Sequence, residues 1–252
     1  MSKRHQHNCH NHTIPDDIPF RENLVFYAPM TEQCCCDYVH NIEPFTDESY
    51  IYNGRTYTPY CRWNDAVQMW EVHTEGSGDN NCGLIAALNW YNVPLFTGLN
   101  GDNMIDKGAT FYCELQQIAE NGNGAAAWLV ADSWHISLSL HHNDNNGSTA
   151  SNTTPGTTNT PMVRARFSSS RLCATTLSKC VYISDPPNGR QYAYKNGIQT
   201  LNATQNVSAF VQHNPDTVSC FQIQTGIYSE KACIKDIRIY NRALTAQEIA
   251  QL

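Results

Sequence analysis

The feature that most constrains the fold is the segment Cys233–Tyr240, in which apolar and charged residues are interleaved. Successive side chains of a β-strand point to opposite faces, so this pattern predicts a strand. Strict alternation gives two faces, one with Ile234, Asp236, Arg238 and Tyr240 and the other with Cys233, Lys235, Ile237 and Ile239. The segment is therefore expected to form one strand of a sheet.

A short helix is predicted directly after this strand. Thr245 and Glu248 have the spacing of a capping box. In that motif the Thr245 hydroxyl accepts a hydrogen bond from the amide of Glu248, and the Glu248 carboxylate accepts one from the amide of Thr245. Leu244 and Ile249 stand where a hydrophobic staple would be. The predicted helix has one or two turns.

Further segments have the pattern of strands separated by turns. The clearest is Trp134–His141, where Ile136, Leu138 and Leu140 share one face. Asn53-Gly54 and Asn196-Gly197 favour type I′ hairpin turns. The other predicted strands are 23–30, 109–116, 125–131, 163–167, 180–184 and the two arms of 190–201. Residues 83–90 fit either a strand or a short helix.

The composition agrees with β-structure that carries long polar loops. Hydrophobic residues make up 41% of the chain and charged residues only 15%, whereas a helical bundle is rich in Glu, Lys, Leu and Ala. Residues 142–161 are mostly Asn, Gly, Ser and Thr and cannot bury a core. We expect either a mobile loop or a projecting hairpin tip there.

Three segments resemble parts of concanavalin A-like (laminin-G-like) jelly rolls. Residues 234–249 resemble the closing strand and terminal helix of that family, Leu24–Met30 its opening strand, and Tyr192–Gly197 its Tyr-Val-Asn-Gly hairpin. The resemblance spans residues 22–252, although 31–160 match nothing in particular. It implies two antiparallel sheets packed face to face, with the first and last strands adjacent. Members of the family are commonly glycan-binding or interaction modules.

The predicted fold is all-β, a two-sheet antiparallel jelly-roll sandwich with a short C-terminal helix and an extended N-terminal arm. The arm covers residues 1–20 and the jelly-roll domain residues 21–252. Prolines disfavour a regular helix in the arm. We interpret the arm as an attachment peptide for a larger particle, anchored by His5, His7, Ile14, Pro15, Ile18 and Pro19.

No catalytic motif is recognisable, so we expect a protein that is not an enzyme. Jelly-roll glucanases carry Glu-x-Asp-x-x-Glu on one strand, which aims the carboxylates into one groove. That triplet is absent here, and the acidic pairs Asp47-Glu48 and Glu71/Glu75 lack its spacing. The Gly-x-Ser-x-Gly and His-Glu-x-x-His motifs are absent too.

Aromatic residues are the best candidates for ligand binding. Sugars stack their apolar faces on aromatic rings, and Asn, Asp and Gln side chains fix the hydroxyls. Most of the five tryptophans must be core residues in a sandwich of this size. The predicted glycan-binding residues are Trp63, Asn64, Asp65 and Trp70.

Two polar stretches of the chain offer metal ligands. The arm contains the candidate ligands His5, His7, Cys9, His10 and His12, which suit Zn²⁺ or Ni²⁺ but lack a known zinc-finger spacing. The run Asn143–Asn146 offers oxygens for Ca²⁺. The alternatives are a polar arm without metal and a solvated loop.

The eleven cysteines form no evident disulfide framework, because the number is odd and three are consecutive at Cys34–Cys36. We expect them to be mostly free thiols that pack as small hydrophobic residues. A thiolate metal site at Cys34–Cys36 is the alternative, but adjacent residues of a strand point to opposite faces.

Charge and hydropathy exclude some partners. The net charge is −7, with 16 basic and 23 acidic residues. With no basic stripe, we expect no nucleic-acid binding. With no run of about 18 apolar residues, we expect no membrane insertion. The N-terminus lacks the apolar core of a signal peptide, so we expect a protein that is used without export.

The leading hypothesis is a virion structural protein, such as a phage head fibre, decoration protein or tail-fibre component. It would dock on capsid or other virion proteins through residues 1–20, form an oligomer, preferably a trimer, and bind host-surface polysaccharide. The alternative is a cellular or secreted carbohydrate-binding module at the bacterial surface, or an accessory domain of a glycoside hydrolase.

Overall fold

The computed structural model describes residues 12–32, 34–44, 50–52, 55–75, 85–93, 108–117, 125–131, 136–141, 149–151, 177–204, 219–225 and 232–252. These residues form mainly β-strands. The strands are β1 (Leu24–Ala28), β2 (Tyr50–Tyr52), β3 (Arg55–Asn64), β4 (Met69–Glu75), β5 (Ile85–Val93), β6 (Ala109–Gln117), β7 (Ala125–Ala131), β8 (Ile136–His141), β9 (Thr149–Ser151), β10 (Ser178–Asp185), β11 (Arg190–Lys195), β12 (Ile198–Thr204), β13 (Ser219–Thr225) and β14 (Ala232–Tyr240). A short helix, α1 (Ala246–Ile249), follows β14.

The strands form two antiparallel sheets, as the sequence predicts. The larger sheet has nine strands in the order β12-β11-β10-β6-β14-β4-β3-β2, and β1 pairs with β14 outside that path. The smaller sheet has five strands in the order β5-β13-β7-β8-β9. The pairing of β1 with β14 confirms that the first and last strands are neighbours.

The main core lies between the two sheets. Phe26 of the larger sheet meets Trp90 of the smaller one edge to face, with ring centroids 5.2 Å apart. Both side chains are fully buried, so this contact joins the layers by burial and by ring geometry. The same cluster includes Val25, Trp70, Val72, Phe111, Cys113, Leu115, Cys180, Tyr182, Ile234, Ile237 and Ile239.

A second cluster covers the opposite face of the larger sheet. Alternate residues of one strand divide between the clusters, since Cys180 and Tyr182 belong to the main core whereas Val181 and Ile183 belong to the second. The covering residues come from the predicted arm and from the C-terminal end of the chain, and they are Ile14, Ile18, Leu244 and Ile249. Residues 12–20 therefore pack, in part, on the domain.

Strand β14 contains a β-bulge that the strict alternation did not predict. Asp236 has a φ of 54°, and the pairing register with β6 shifts between Lys235 and Arg238. The extra residue brings Ile234 onto the same core face as Ile237 and Ile239. The predicted division of this strand into two faces was therefore wrong beyond Asp236.

The local predictions at turns and caps agree with the structure. Asn196 and Gly197 both have positive φ, 50° and 77°, as a type I′ turn requires. Helix α1 has the predicted capping box. Strands β2 and β3 pair through Tyr52 and Arg55, although Asn53-Gly54 itself lies outside the described residues.

The remaining predicted segments have mixed outcomes. The ambiguous residues 83–90 contribute to strand β5. Within 142–161, Thr149–Ser151 forms edge strand β9, and the rest lies outside the described residues, as does the predicted strand 163–167. In the described part of the chain, no helix has the length and apolar character needed to cross a membrane.

Candidate functional site in the β3–β4 hairpin

The four residues predicted to bind a glycan all lie at one end of the β3–β4 hairpin. Trp63 and Trp70 are directly opposite each other in the strand register, as are Asn64 and Met69. The two indole rings meet edge to face with centroids 6.3 Å apart. Such cross-strand aromatic pairs stabilise the end of a hairpin.

The two tryptophans differ in exposure and in hydrogen bonding. Trp70 is 7% exposed and donates its indole N–H to the carbonyl oxygen of Thr31 at 2.6 Å. Trp63 is half-buried at the margin of the main core. Its Nε1 atom is buried and has no hydrogen-bond partner among the described residues. Trp70 therefore supports the hairpin from inside, and Trp63 is the ring nearer to solvent.

A polar cluster occupies the other face of the same hairpin. Glu71 is almost fully buried and accepts hydrogen bonds from Arg62 Nη2 at 3.0 Å and from Asn64 Nδ2 at 2.8 Å. The Arg62 side chain is 61% exposed. Because side chains alternate along a strand, Arg62 and Asn64 point away from the face that carries Trp63.

The turn between the strands is closed by local hydrogen bonds. Asn64 Oδ1 accepts from the amide of Ala66 at 3.0 Å, and the Asn64 carbonyl accepts from the amide of Gln68 at 2.8 Å. Gln68 has a φ of 56°, in the left-handed region. Asp65, Ala66 and Gln68 are exposed. The turn therefore presents polar groups beside the partly accessible Trp63.

The structure thus brings the predicted residues together in one hairpin but not on one surface. The tryptophans face the core side, Asn64 faces the opposite side, and Asp65 lies in the turn. Arg62 and the role of Glu71 were not predicted from the sequence. The contact between them depends on the cross-strand pairing of Arg62 with Glu71. The register of the hairpin, which sets that pairing, was not evident in the sequence.

Glu71 also affects the next strand. Cys233 of β14 pairs with Glu71, and burial together with the negative charge of Glu71 raises the pKa of Cys233 to about 12. Cys233 therefore remains a neutral thiol at neutral pH and is a packing residue.

Six described cysteines are free thiols, as expected, and five of these are buried: Cys34, Cys35, Cys113, Cys180 and Cys233. The sixth, Cys61, is half-buried. Cys36 is the exception, because it is disulfide-bonded. Cys34 and Cys36 share one small cluster, whereas Cys35 belongs to the main core, so neighbours do point to opposite sides.

Most of the predicted metal ligands cannot be placed. His5, His7, Cys9 and His10 lie outside the described residues, as does Asn143–Asn146. His12 is described, and its Nε2 lies 3.4 Å from Cys34 Sγ. This contact was not predictable from the sequence, since the two residues are 22 positions apart.

The predicted particle-anchor residues divide between surface and interior. Ile14 and Ile18 are buried in the second cluster, Pro15 is exposed and Pro19 is half-buried. Ile14 and Ile18 contact the domain of their own chain. The anchoring role itself stays a prediction.

Comparisons with known proteins concern the fold alone. No protein-family model matches the sequence, and no curated protein matches it significantly. Domain 4 of AbnA, a GH43 extracellular arabinanase from Geobacillus stearothermophilus, is similar with a TM-score of 0.52 at 12% identity, covering 90% of this chain and 97% of that domain.

Two toxin domains share the architecture. The binding domain of botulinum neurotoxin serotype G has a TM-score of 0.54 at 10% identity, covering 90% of this chain and 50% of its own. The binding domain of Paraclostridial Mosquitocidal Protein 1 has a TM-score of 0.52 at 13% identity, covering 90% of this chain and 51% of its own. The chain thus spans about half the length of each toxin binding domain. The fold of this chain is a two-sheet β-sandwich of the jelly-roll kind.

Proposed function

We propose that this domain is a carbohydrate-binding module and that the end of the β3–β4 hairpin contacts the sugar. The observation that carries the proposal is Trp63, a half-buried indole ring at the end of a hairpin whose turn exposes Asp65 and Gln68. The accessible part of such a ring offers a flat apolar surface on which a sugar can stack.

The surroundings of Trp63 support this proposal. Carbohydrate sites combine an aromatic ring with a few convergent polar groups. Asp65 and Gln68 are exposed in the adjoining turn, and both can bond sugar hydroxyls. Trp70 holds Trp63 from the core side, which limits the entropy lost when a ligand orders the ring.

The likeness to the arabinanase domain adds support of a general kind. That domain was solved in complex with arabinotriose, and this chain covers 97% of it. The shared architecture accommodates a sugar ligand in that protein. Pentose-containing polysaccharides are therefore the first substrates to include in a test.

Affinity electrophoresis of the full chain through gels containing different polysaccharides tests the proposal. The wild type is expected to be retarded by at least one polysaccharide, and Trp63→Ala and Asp65→Ala to migrate faster in the same gel. Ile198→Ala is the matched control, because Ile198 is 71% exposed on β12, at the far edge of the same sheet. If all variants were retarded equally, the sugar would bind somewhere other than the hairpin, and the proposed site would be wrong.

The module is proposed to be non-catalytic. The best-placed acid, Glu71, has both carboxylate oxygens occupied by Arg62 and Asn64. A carboxylate held in this way is suited to fixing the hairpin rather than to transferring protons. Incubation with the retained polysaccharide is expected to release no reducing ends. Release that is abolished by Glu71→Gln would contradict this proposal.

The biological setting that we propose is a virion, where an oligomer of this chain presents the sandwich to host-surface polysaccharide. The motivation is sequence-based: an arm over 1–20 that precedes a display-type domain. The test is mass spectrometry of purified particles together with light scattering of the chain with and without residues 1–11. We expect presence in particles and an oligomer, preferably a trimer, that depends on the arm.

The second candidate is a bacterial surface or secreted module that accompanies a glycoside hydrolase. The likeness to domain 4 of an extracellular arabinanase favours it. A monomeric chain that binds sugar equally well without residues 1–11 would support this candidate over the virion protein.

A further inference from the structure

A small cluster of metal-ligating side chains lies at the junction of the N-terminal segment and the loop after β1. His12, Cys34 and Cys36 each offer one ligand atom, and these atoms all lie within 4.8 Å of one another. His12 Nε2 is 3.4 Å from Cys34 Sγ. Cys34 is 5% exposed and Cys36 fully buried.

The dimensions of the cluster fit a tetrahedral ion. With Zn–S near 2.3 Å and Zn–N near 2.0 Å, neighbouring ligand atoms of a tetrahedral site lie about 3.5–3.8 Å apart. His12 Nε2 and Cys34 Sγ are 3.4 Å apart, slightly closer than the lower end of that range, so a small outward shift of either side chain would accommodate the ion. Imidazole and thiolate ligands together select Zn²⁺ over Ca²⁺ or Mg²⁺, which take oxygen ligands.

The loop that carries the cysteines is held in place independently of any ion. Trp70 and Trp90 donate their indole N–H groups to the carbonyls of Thr31 and Cys35, at 2.6 Å and 3.0 Å. Thr31 and Cys34 form an isolated β-bridge, with the amide of Thr31 donating to the Cys34 carbonyl at 2.9 Å. The two sulfurs therefore sit on a scaffold that is already rigid.

The ligand atoms are also oriented by their neighbours. The His12 ring stacks parallel to Tyr38 at a centroid distance of 4.4 Å. Tyr38 is fixed to β1, because its amide donates to the Tyr27 carbonyl at 2.7 Å. The amide of Cys36 donates to Cys34 Sγ at 3.4 Å, and such a bond stabilises a thiolate. Outer partners of this kind are typical of metal sites.

The disulfide of Cys36 makes the site conditional on redox state. A dithiol or phosphine reductant supplies the two electrons that break the disulfide bond. Each sulfur then takes up one proton from water, which gives two thiols, one of them that of Cys36. Zn²⁺ then replaces the thiol protons without any change in its own oxidation state.

We propose that His12, Cys34 and Cys36 bind Zn²⁺ when the Cys36 disulfide is reduced, and that the ion fastens the N-terminal segment to the loop after β1. The oxidised form, in which Cys36 is not a thiolate, has no such site.

Zinc analysis of the full chain tests the proposal. The protein is reduced with a phosphine, incubated with Zn²⁺, desalted and measured by inductively coupled plasma mass spectrometry. We expect one zinc per reduced chain and none per oxidised chain. Cobalt substitution is expected to give the thiolate charge-transfer and d–d bands of a tetrahedral site.

Matched variants separate the cluster from other histidines and cysteines. We expect His12→Ala, Cys34→Ser and Cys36→Ser to bind at least tenfold more weakly, whereas His10→Ala and Cys61→Ser bind as the wild type does. His12→Cys is expected to retain zinc and to strengthen the thiolate band of the cobalt form, which a purely structural role would not produce.

Two results would overturn the proposal. One is a reduced wild-type chain that retains no zinc, and the other is full zinc binding by both His12→Ala and Cys34→Ser. If a thermal melt shows that Cys34→Ser is not folded, zinc binding is compared between His12→Ala and His12→Cys instead. Both variants change only His12, which is half-buried, and are expected to fold. Equal zinc binding by these two variants would then overturn the proposal.

Discussion

Trp90 donates its indole N–H to the carbonyl oxygen of Cys35 at 3.0 Å, across a sequence separation of 55 residues. Trp90 belongs to the smaller sheet and Cys35 to the loop after the first strand of the larger sheet. The bond therefore joins the two layers of the sandwich at the point where their core meets the His12–Cys34–Cys36 cluster.

Trp90→Phe is expected to destabilise the protein by about 2–4 kcal/mol, because it leaves a buried carbonyl without its donor and removes buried volume. Urea denaturation measures the change. Trp63→Phe is the matched control, since the Trp63 N–H has no partner among the described residues, and it should cost less than half as much. Equal losses would mean that the Trp90 bond contributes nothing.

The bulge in β14 is expected to depend on Asp236. Arg238 donates through Nε to Asp236 Oδ1 at 2.7 Å and through Nη2 to Oδ2, and both side chains are largely buried. Asp236→Ala removes the partner of a buried guanidinium and puts alanine at positive φ, so a loss of roughly 3 kcal/mol is expected. Thermal denaturation checks it.

Asp16→Ala serves as the control for that variant. Asp16 pairs with Arg21 in the same kind of carboxylate–guanidinium contact, but its side chain is 99% exposed. Exposed pairs contribute little to stability, so the melting temperature should not change. A similar drop in both variants would contradict the account of the bulge.

The C-terminal cap is expected to give the stability a pH dependence at acid pH. Hydrogen bonds from Arg242, and from the amide and hydroxyl of Thr245, lower the pKa of Glu248 from 4.5 to about 2. A carboxylate whose pKa is depressed by folding stabilises the protein above its unfolded pKa, and this contribution is lost as the pH falls from about 4.5 to about 2.

Glu248→Gln should isolate this effect. Near pH 7 the variant is expected to be less stable by about 1 kcal/mol, through loss of the charged cap and its ion pair. The difference from the wild type should shrink towards zero as the pH approaches 2. Denaturant titrations over a pH series measure it, and a difference that does not vary with pH would contradict the cap assignment.

Trp63 is expected to dominate sugar binding at the hairpin. Removing the ring in Trp63→Ala should weaken binding of the retained polysaccharide at least tenfold, or about 1.4 kcal/mol. Asp65→Ala should have a smaller effect, because a single exposed hydrogen bond contributes less than a stacked ring. Isothermal titration with oligosaccharides measures both.

The features that were predictable from sequence are those fixed by residues close together in the chain. The capping box needs only Thr245 and Glu248, and the hairpin turn only Asn196 and Gly197. Each depends on local backbone geometry that a few side chains determine.

The features that were missed depend on the register between distant strands. The bulge at Asp236 follows from how β14 fits between β6 and its other neighbours. The Arg62–Glu71–Asn64 cluster needs the β3–β4 register, and the contact of His12 with Cys34 needs the packing of the N-terminal segment. Periodicity along one strand contains none of this information.

A glycan array probed with the full-length chain is the most direct test of the central claim, that this sandwich is a carbohydrate-binding module with its contact site at the β3–β4 hairpin. We expect the wild type to bind a defined subset of the glycans, and we expect Trp63→Ala, but not Ile198→Ala, to lose binding to that subset. Binding to no glycan, or an unchanged pattern in Trp63→Ala, would contradict it.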